Sequence, residues 1–114
     1  MAAKFGARKM SPLPVQYAEI VFSEIESIID YISQDNPPAA RKVLIAIEDE
    51  IERLSYFPRS GRKTDEEGVM ARTLSRYPYI VFYKIDGDLL VILHVLHGAR
   101  RHPGFMEEAA AFAR

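Results

Sequence analysis

Cysteine is absent from the 114 residues, which excludes a disulfide framework and a thiolate metal site and removes redox chemistry from consideration. Long hydrophobic runs are missing as well. A membrane helix needs about 20 consecutive apolar residues, whereas the run Leu89 to Leu93 already ends at His94. The basic residues Lys4, Arg8 and Lys9 have no apolar stretch behind them, so the start does not read as a secretory signal. These absences place the chain in the cytoplasm, away from membranes. There is no Gly-rich phosphate loop, nucleophile elbow, His-Glu-x-x-His pattern or internal repeat. No cofactor and no metal are expected.

What is present is ordinary for a folded protein. At 13.0 kDa, with 48% hydrophobic and 27% charged residues, the chain suits a single domain with one core. Its formal net charge of -1 hides an asymmetry. Residues 1–58 hold six Lys/Arg against nine Asp/Glu, while residues 59–106 hold eight against five. The second half is therefore basic, which bears on partners and not on fold.

Hydrophobic spacing sets out the elements. Residues 1–12 lack periodicity and read as a flexible arm, with the domain spanning 13–106 and a tail or short helix over 107–114. Leu13 to Tyr17 is apolar enough for a first strand, which Pro14 confines to an edge or to its beginning. Ala18, Val21, Phe22, Ile25, Ile28, Ile29 and Ile32 recur at three- and four-residue steps, the mark of one buried helix face, with Glu19, Glu24, Glu26 and Asp30 on the other side. Asp35-Asn36-Pro37-Pro38 breaks that helix and starts a second one capped by Asn36. Ala40, Val43, Leu44, Ile47, Ile51 and Leu54 carry it to Phe57-Pro58, giving an antiparallel helix hairpin.

Arg59 to Gly68 reads as an exposed loop. The period then changes to two: Val69 to Ser75, Tyr79 to Ile85 and Asp88 to His97 are strands, the last two joined at the hairpin signal Asp86-Gly87. Leu89 to Leu96 is apolar on both alternations apart from His94, as in a strand covered on both faces. The expected fold is α+β, in the order β-α-α-β-β-β, with the hairpin packed on a small antiparallel sheet and a short C-terminal helix over Met106 to Ala113.

Chemistry-bearing residues concentrate after the second helix. Arg59, Arg62 and Lys63 lie in the loop, Arg72 and Arg76 share one face of a strand by their even spacing, and Arg100 and Arg101 follow the last strand. Arginine suits bidentate binding of phosphate or carboxylate, so a rim of this kind faces nucleic acid, an acidic partner or an acidic patch on an enzyme. The alternative is that these arginines only keep the sheet soluble and its edges blunt. His94 and His97, three apart on a strand, point to opposite faces and cannot jointly ligate a metal. His97 has the chemistry of a general acid or base, though a structural histidine at a strand end is the simpler reading.

Taken in order, Asp35-Asn36-Pro37, Phe57-Pro58-Arg59-Ser60-Gly61-Arg62, Tyr79-Ile80-Val81-Phe82-Tyr83 and Val95-Leu96-His97-Gly98-Ala99-Arg100 resemble the ParE group of the ParE/RelE toxin superfamily, known from plasmid stabilisation systems. The resemblance runs from about Leu13 to Arg101. It implies a toxin of a type II toxin–antitoxin pair, neutralised by a cognate antitoxin in a hetero-oligomer that meets operator DNA only through the antitoxin. On the ParE side it implies inhibition of DNA gyrase or another type II topoisomerase, with Arg62, Arg72, Arg76 and Arg100 as contacts to target or antitoxin and no catalytic residue. On the RelE side it implies a ribosome-dependent messenger endoribonuclease, with Arg100, Arg76, His97 and Lys63 supplying the chemistry. Ile80 stands where the nucleases place an arginine, and Phe105 and Met106 fall near their C-terminal acid/base position without the means to transfer a proton. The ParE side is expected.

Overall fold

The computed structural model describes residues 11–98. Seven elements follow in chain order: β1 (Val15–Tyr17), α1 (Glu19–Ser33), α2 (Pro37–Tyr56), β2 (Arg62–Lys63), β3 (Met70–Thr73), β4 (Tyr79–Asp86) and β5 (Leu89–His97). The strands form one sheet in the order β1-β5-β4-β3-β2. This is the expected α+β arrangement with two refinements. The first strand joins β5 in parallel, which makes the sheet mixed, with Val15, Gln16 and Tyr17 opposite Leu90, Val91 and Ile92. The loop after α2 also contributes the two-residue strand β2, antiparallel to β3.

Each helix begins for a local reason. Asn36 accepts a hydrogen bond from the Ala39 N–H at 3.1 Å, and Pro37 and Pro38 occupy the first turn of α2, where a missing N–H costs nothing. Among the described residues no side chain caps α1. Instead its N-cap residue, Ala18, gives its own N–H to the Ile92 carbonyl at 2.9 Å, so the chain passes from ladder to helix without a loop. Between β4 and β5, Gly87 takes a φ of 61° at the first central position of a two-residue turn, the site a hairpin of this kind reserves for glycine.

The core lies between the helix hairpin and one face of the sheet. Val21 and Ile28 from α1 meet Val43, Ile47, Ile51 and Leu54 from α2 and Val81, Tyr83, Leu90, Ile92 and Val95 from the sheet. Burying each aliphatic side chain contributes about 1.5–3 kcal/mol. On the other face Ala71, Phe82 and Leu96 form a second, smaller cluster. Phe22 departs from its expected place on the buried stripe: it is 62% exposed and packs edge-on against Tyr17, ring centroids 5.4 Å apart. The N-terminal arm up to residue 10 and the C-terminal helix expected over Met106 to Ala113 lie outside the described residues.

Candidate functional site

The arginine-bearing loop that follows α2 is tied down by side chains from the sheet. Tyr83 of β4 is fully buried as a ring, yet its hydroxyl reaches the loop, donating to the Pro58 carbonyl at 2.8 Å and accepting from the Gly61 N–H at 3.0 Å. Burial pushes the phenol above its ordinary pKa. Glu50 adds to that rise, while the Gly61 hydrogen bond and the Arg72 guanidinium oppose it. Gly61 has no room for a side chain, because an added methyl would run into the Tyr83 hydroxyl and the Ala71 carbonyl. Arg72 completes the attachment: its Nη1 donates to the Ser60 carbonyl at 3.2 Å and its Nε lies 3.3 Å from Glu50 Oε2 on α2. One guanidinium thus joins helix, strand and loop.

The arginines proposed from sequence divide by role. Arg62, exposed on β2, donates from Nη1 to Thr73 Oγ1 at 3.4 Å. Arg76 is not on a strand: β3 stops at Thr73, and Arg76 sits exposed in the turn before β4, so it does not share a strand face with Arg72. It lines an open cleft of about 210 Å³ together with Asp49, Glu50 and Arg53 of α2. Arg59 and Lys63 border a second hollow, of about 470 Å³, that also includes Glu66 and Glu67. Arg100 and Arg101 lie outside the described residues.

His97 does not join the loop residues. Its ring packs edge-on against Tyr79, centroids 5.2 Å apart, at the end of β5. Lys63 pairs with Met70, Met70 with Tyr83, and Tyr83 with Ile92, so Lys63 lies three strands across and about four residues along from His97. Strand spacing and rise put their backbones about 19 Å apart. The two therefore do not flank one reacting phosphate.

Helical spacing assigned Glu24 to the water-facing side, but the structure turns its carboxylate inward. β1 ends opposite Ile92, and among the described residues no strand pairs with the rest of β5 on that side. Glu24 fills the gap, accepting from the Val95 N–H at 2.9 Å and meeting His94 Nδ1 at 2.6 Å. The register also skips Leu93, with Phe82 opposite His94 and Tyr83 opposite Ile92. This bulge breaks strict alternation between Ile92 and Val95, which share one core; beyond it alternation resumes, with His94 opposite Phe82 and His97 opposite Tyr79, so the two histidines lie on opposite faces of the sheet as expected. The only sequence signal for Glu24 was the mismatch between a short first strand and a long last one.

The family model described as the ParE toxin of the type II toxin-antitoxin system, parDE, matches residues 15–102, from the first residue of β1 to beyond β5. The chain belongs to the ParE toxin family. Among its relatives is the candidate toxin Y4kP of Sinorhizobium fredii, 30% identical over 94 residues, or 82% of this chain and 97% of that one. Toxin ParE3 of Caulobacter vibrioides is 36% identical over 69 residues, covering 60% of this chain and 69% of the relative. Toxin RelE2 of the same organism is 26% identical over 78 residues, covering 68% and 86%. The solved structure of the chromosomal ParDE TA system from P. aeruginosa matches with a TM-score of 0.69 at 21% identity, over 78% of this chain and 97% of that one, a likeness of fold. Among the described residues of this ParE-family chain, no helix is long and apolar enough to cross a membrane and no group of His, Asp or Glu has the makings of a metal site.

Proposed function

We propose that this ParE-family toxin inhibits a type II topoisomerase, DNA gyrase or a related enzyme, by binding and not by catalysis, in the cytoplasm. A cognate antitoxin neutralises it, and the pair meets operator DNA through the antitoxin. The observation that carries this reading is the match to the ParE model over every element of the fold. The distance between Lys63 and His97 supports it further, since the residues a nuclease would draw on stand at different ends of the sheet. Arg62, Arg76 and Arg100 are the contact residues in this reading, while Arg72 is engaged with Glu50 and Ser60.

The test adds purified toxin, free of antitoxin, to a gyrase supercoiling and DNA-cleavage assay, with ribosome-programmed messenger cleavage run alongside. Loss of supercoiling or accumulation of cleaved plasmid, with messenger intact, is the expected result. Cut messenger with unaffected gyrase would replace this reading with the ribosome-dependent endoribonuclease that the superfamily resemblance also allows.

A further inference from the structure

The Tyr83 hydroxyl has a placement that core packing does not require. Its ring is fully buried in the main cluster, where phenylalanine would fill the same space, yet both partners of its oxygen, the Pro58 carbonyl and the Gly61 N–H, belong to the loop. Arg72 binds the carbonyl between them, that of Ser60. Backbone groups of Pro58, Ser60 and Gly61 are thus all held by side chains from β3 and β4. The next residues, Arg62 and Lys63, add to the sheet edge as β2.

We infer that Tyr83 and Arg72 are positioning residues that hold the Pro58–Lys63 segment rigid, so that Arg59, Arg62 and Lys63 meet an anionic surface of the toxin's target as one preformed cationic edge. The inference rests on the reading of this segment as target-binding. Fixing a free backbone costs about 1–2 kcal/mol per residue. A segment ordered when the protein folds does not incur that cost when the target binds. Glu50 sits against Arg72 at 3.3 Å, so Arg72 adds little free charge to the edge and acts through the loop it holds.

The experiment compares Tyr83→Phe, Arg62→Ala and the double variant in the full chain. Gly61 amide exchange is measured on purified protein, and growth arrest is measured in cells without antitoxin. Tyr83→Phe is expected to keep the fold, to speed Gly61 exchange about tenfold, and to raise the expression needed for half-maximal arrest by a similar factor, the scale of one hydrogen bond. The double variant should be weaker than Arg62→Ala alone, but by less than the factor Tyr83→Phe costs in the wild-type background, because only Arg59 and Lys63 remain on the loosened edge. Wild-type exchange and potency in Tyr83→Phe, or effects that multiply in the double variant, would overturn the inference. Arg62→Ala with full potency would instead overturn the reading of the loop as target-binding, while the Gly61 exchange rate would still show whether Tyr83 holds it. If Tyr83→Phe proves too unstable to purify, Arg72→Lys serves in its place: it keeps a charge against Glu50 but lacks the fork that also reaches Ser60, and the same loosening at Gly61 is expected.

Discussion

Gly61 and Tyr83 depend on each other at the level of single atoms. A methyl on Gly61 would meet the phenol oxygen and the Ala71 carbonyl, one the tip of a side chain and the other fixed backbone. Gly61→Ala is therefore expected to destabilise the protein by about 1–3 kcal/mol, the usual cost of forcing atoms into a filled site. In a Tyr83→Phe background the same change should cost less, because one of the two obstacles is gone; urea denaturation of the wild type, the two single variants and the double variant checks this. The phenols also set an alkaline limit. Burial raises the pKa of both Tyr83 and Tyr17, Glu48 adding to the rise at Tyr17, from the ordinary 10.0. A raised folded pKa means that the folded state favours the neutral phenol. The stability this lends is complete below pH 10 and lost as pH climbs through the folded values. Melting temperature should hold steady up to about pH 10 and fall above it, and replacing either tyrosine with phenylalanine should soften the fall.

At the scale of elements, two termini invite contrast. Asn36→Ala removes a cap exposed to water and should cost about 1 kcal/mol. Glu24→Ala leaves the Val95 N–H of β5 without its acceptor, and the expected loss is about 1–3 kcal/mol. Thermal unfolding of the two variants ranks them, and a costlier Asn36→Ala would contradict the role given to Glu24. The cap was legible in the sequence, because an Asn ahead of two prolines has few other uses. The helix hairpin and the three long strands were legible too, since their periods differ. Glu24 was not, because a helix wheel counts faces but does not know where a neighbouring strand stops. Nor was β2, since two residues carry no period, nor the bulge at Leu93, which exists only in the pairing of β5 with β4. Arg76 was misplaced for a related reason: even spacing from Arg72 implied a strand that in fact ends at Thr73.

Over the whole molecule, charge separates along the chain, with the basic excess in the half that carries the loop and the sheet. Contacts made by exposed arginines are screened by salt, over about 10 Å at 0.1 M ionic strength. The toxin concentration that half-inhibits its target should therefore rise with ionic strength, and Arg62→Ala and Arg76→Ala should each flatten that rise; a salt-independent titration would contradict an electrostatic edge. As a set the arginines could be read from the sequence. That Arg72 is engaged with Glu50 and Ser60, while Arg62 and Arg76 stand exposed, needed the positions of residues on other elements. The parallel pairing of β1 with β5 has a consequence in time. Val15 waits for Leu90, and the intervening chain takes roughly 4 to 15 seconds to synthesise at about 5–20 residues per second. During that interval β1 has no strand to pair with, so a ribosome making this toxin carries an unfinished sheet until the last strand emerges, and any potency that needs the closed sheet arrives only then.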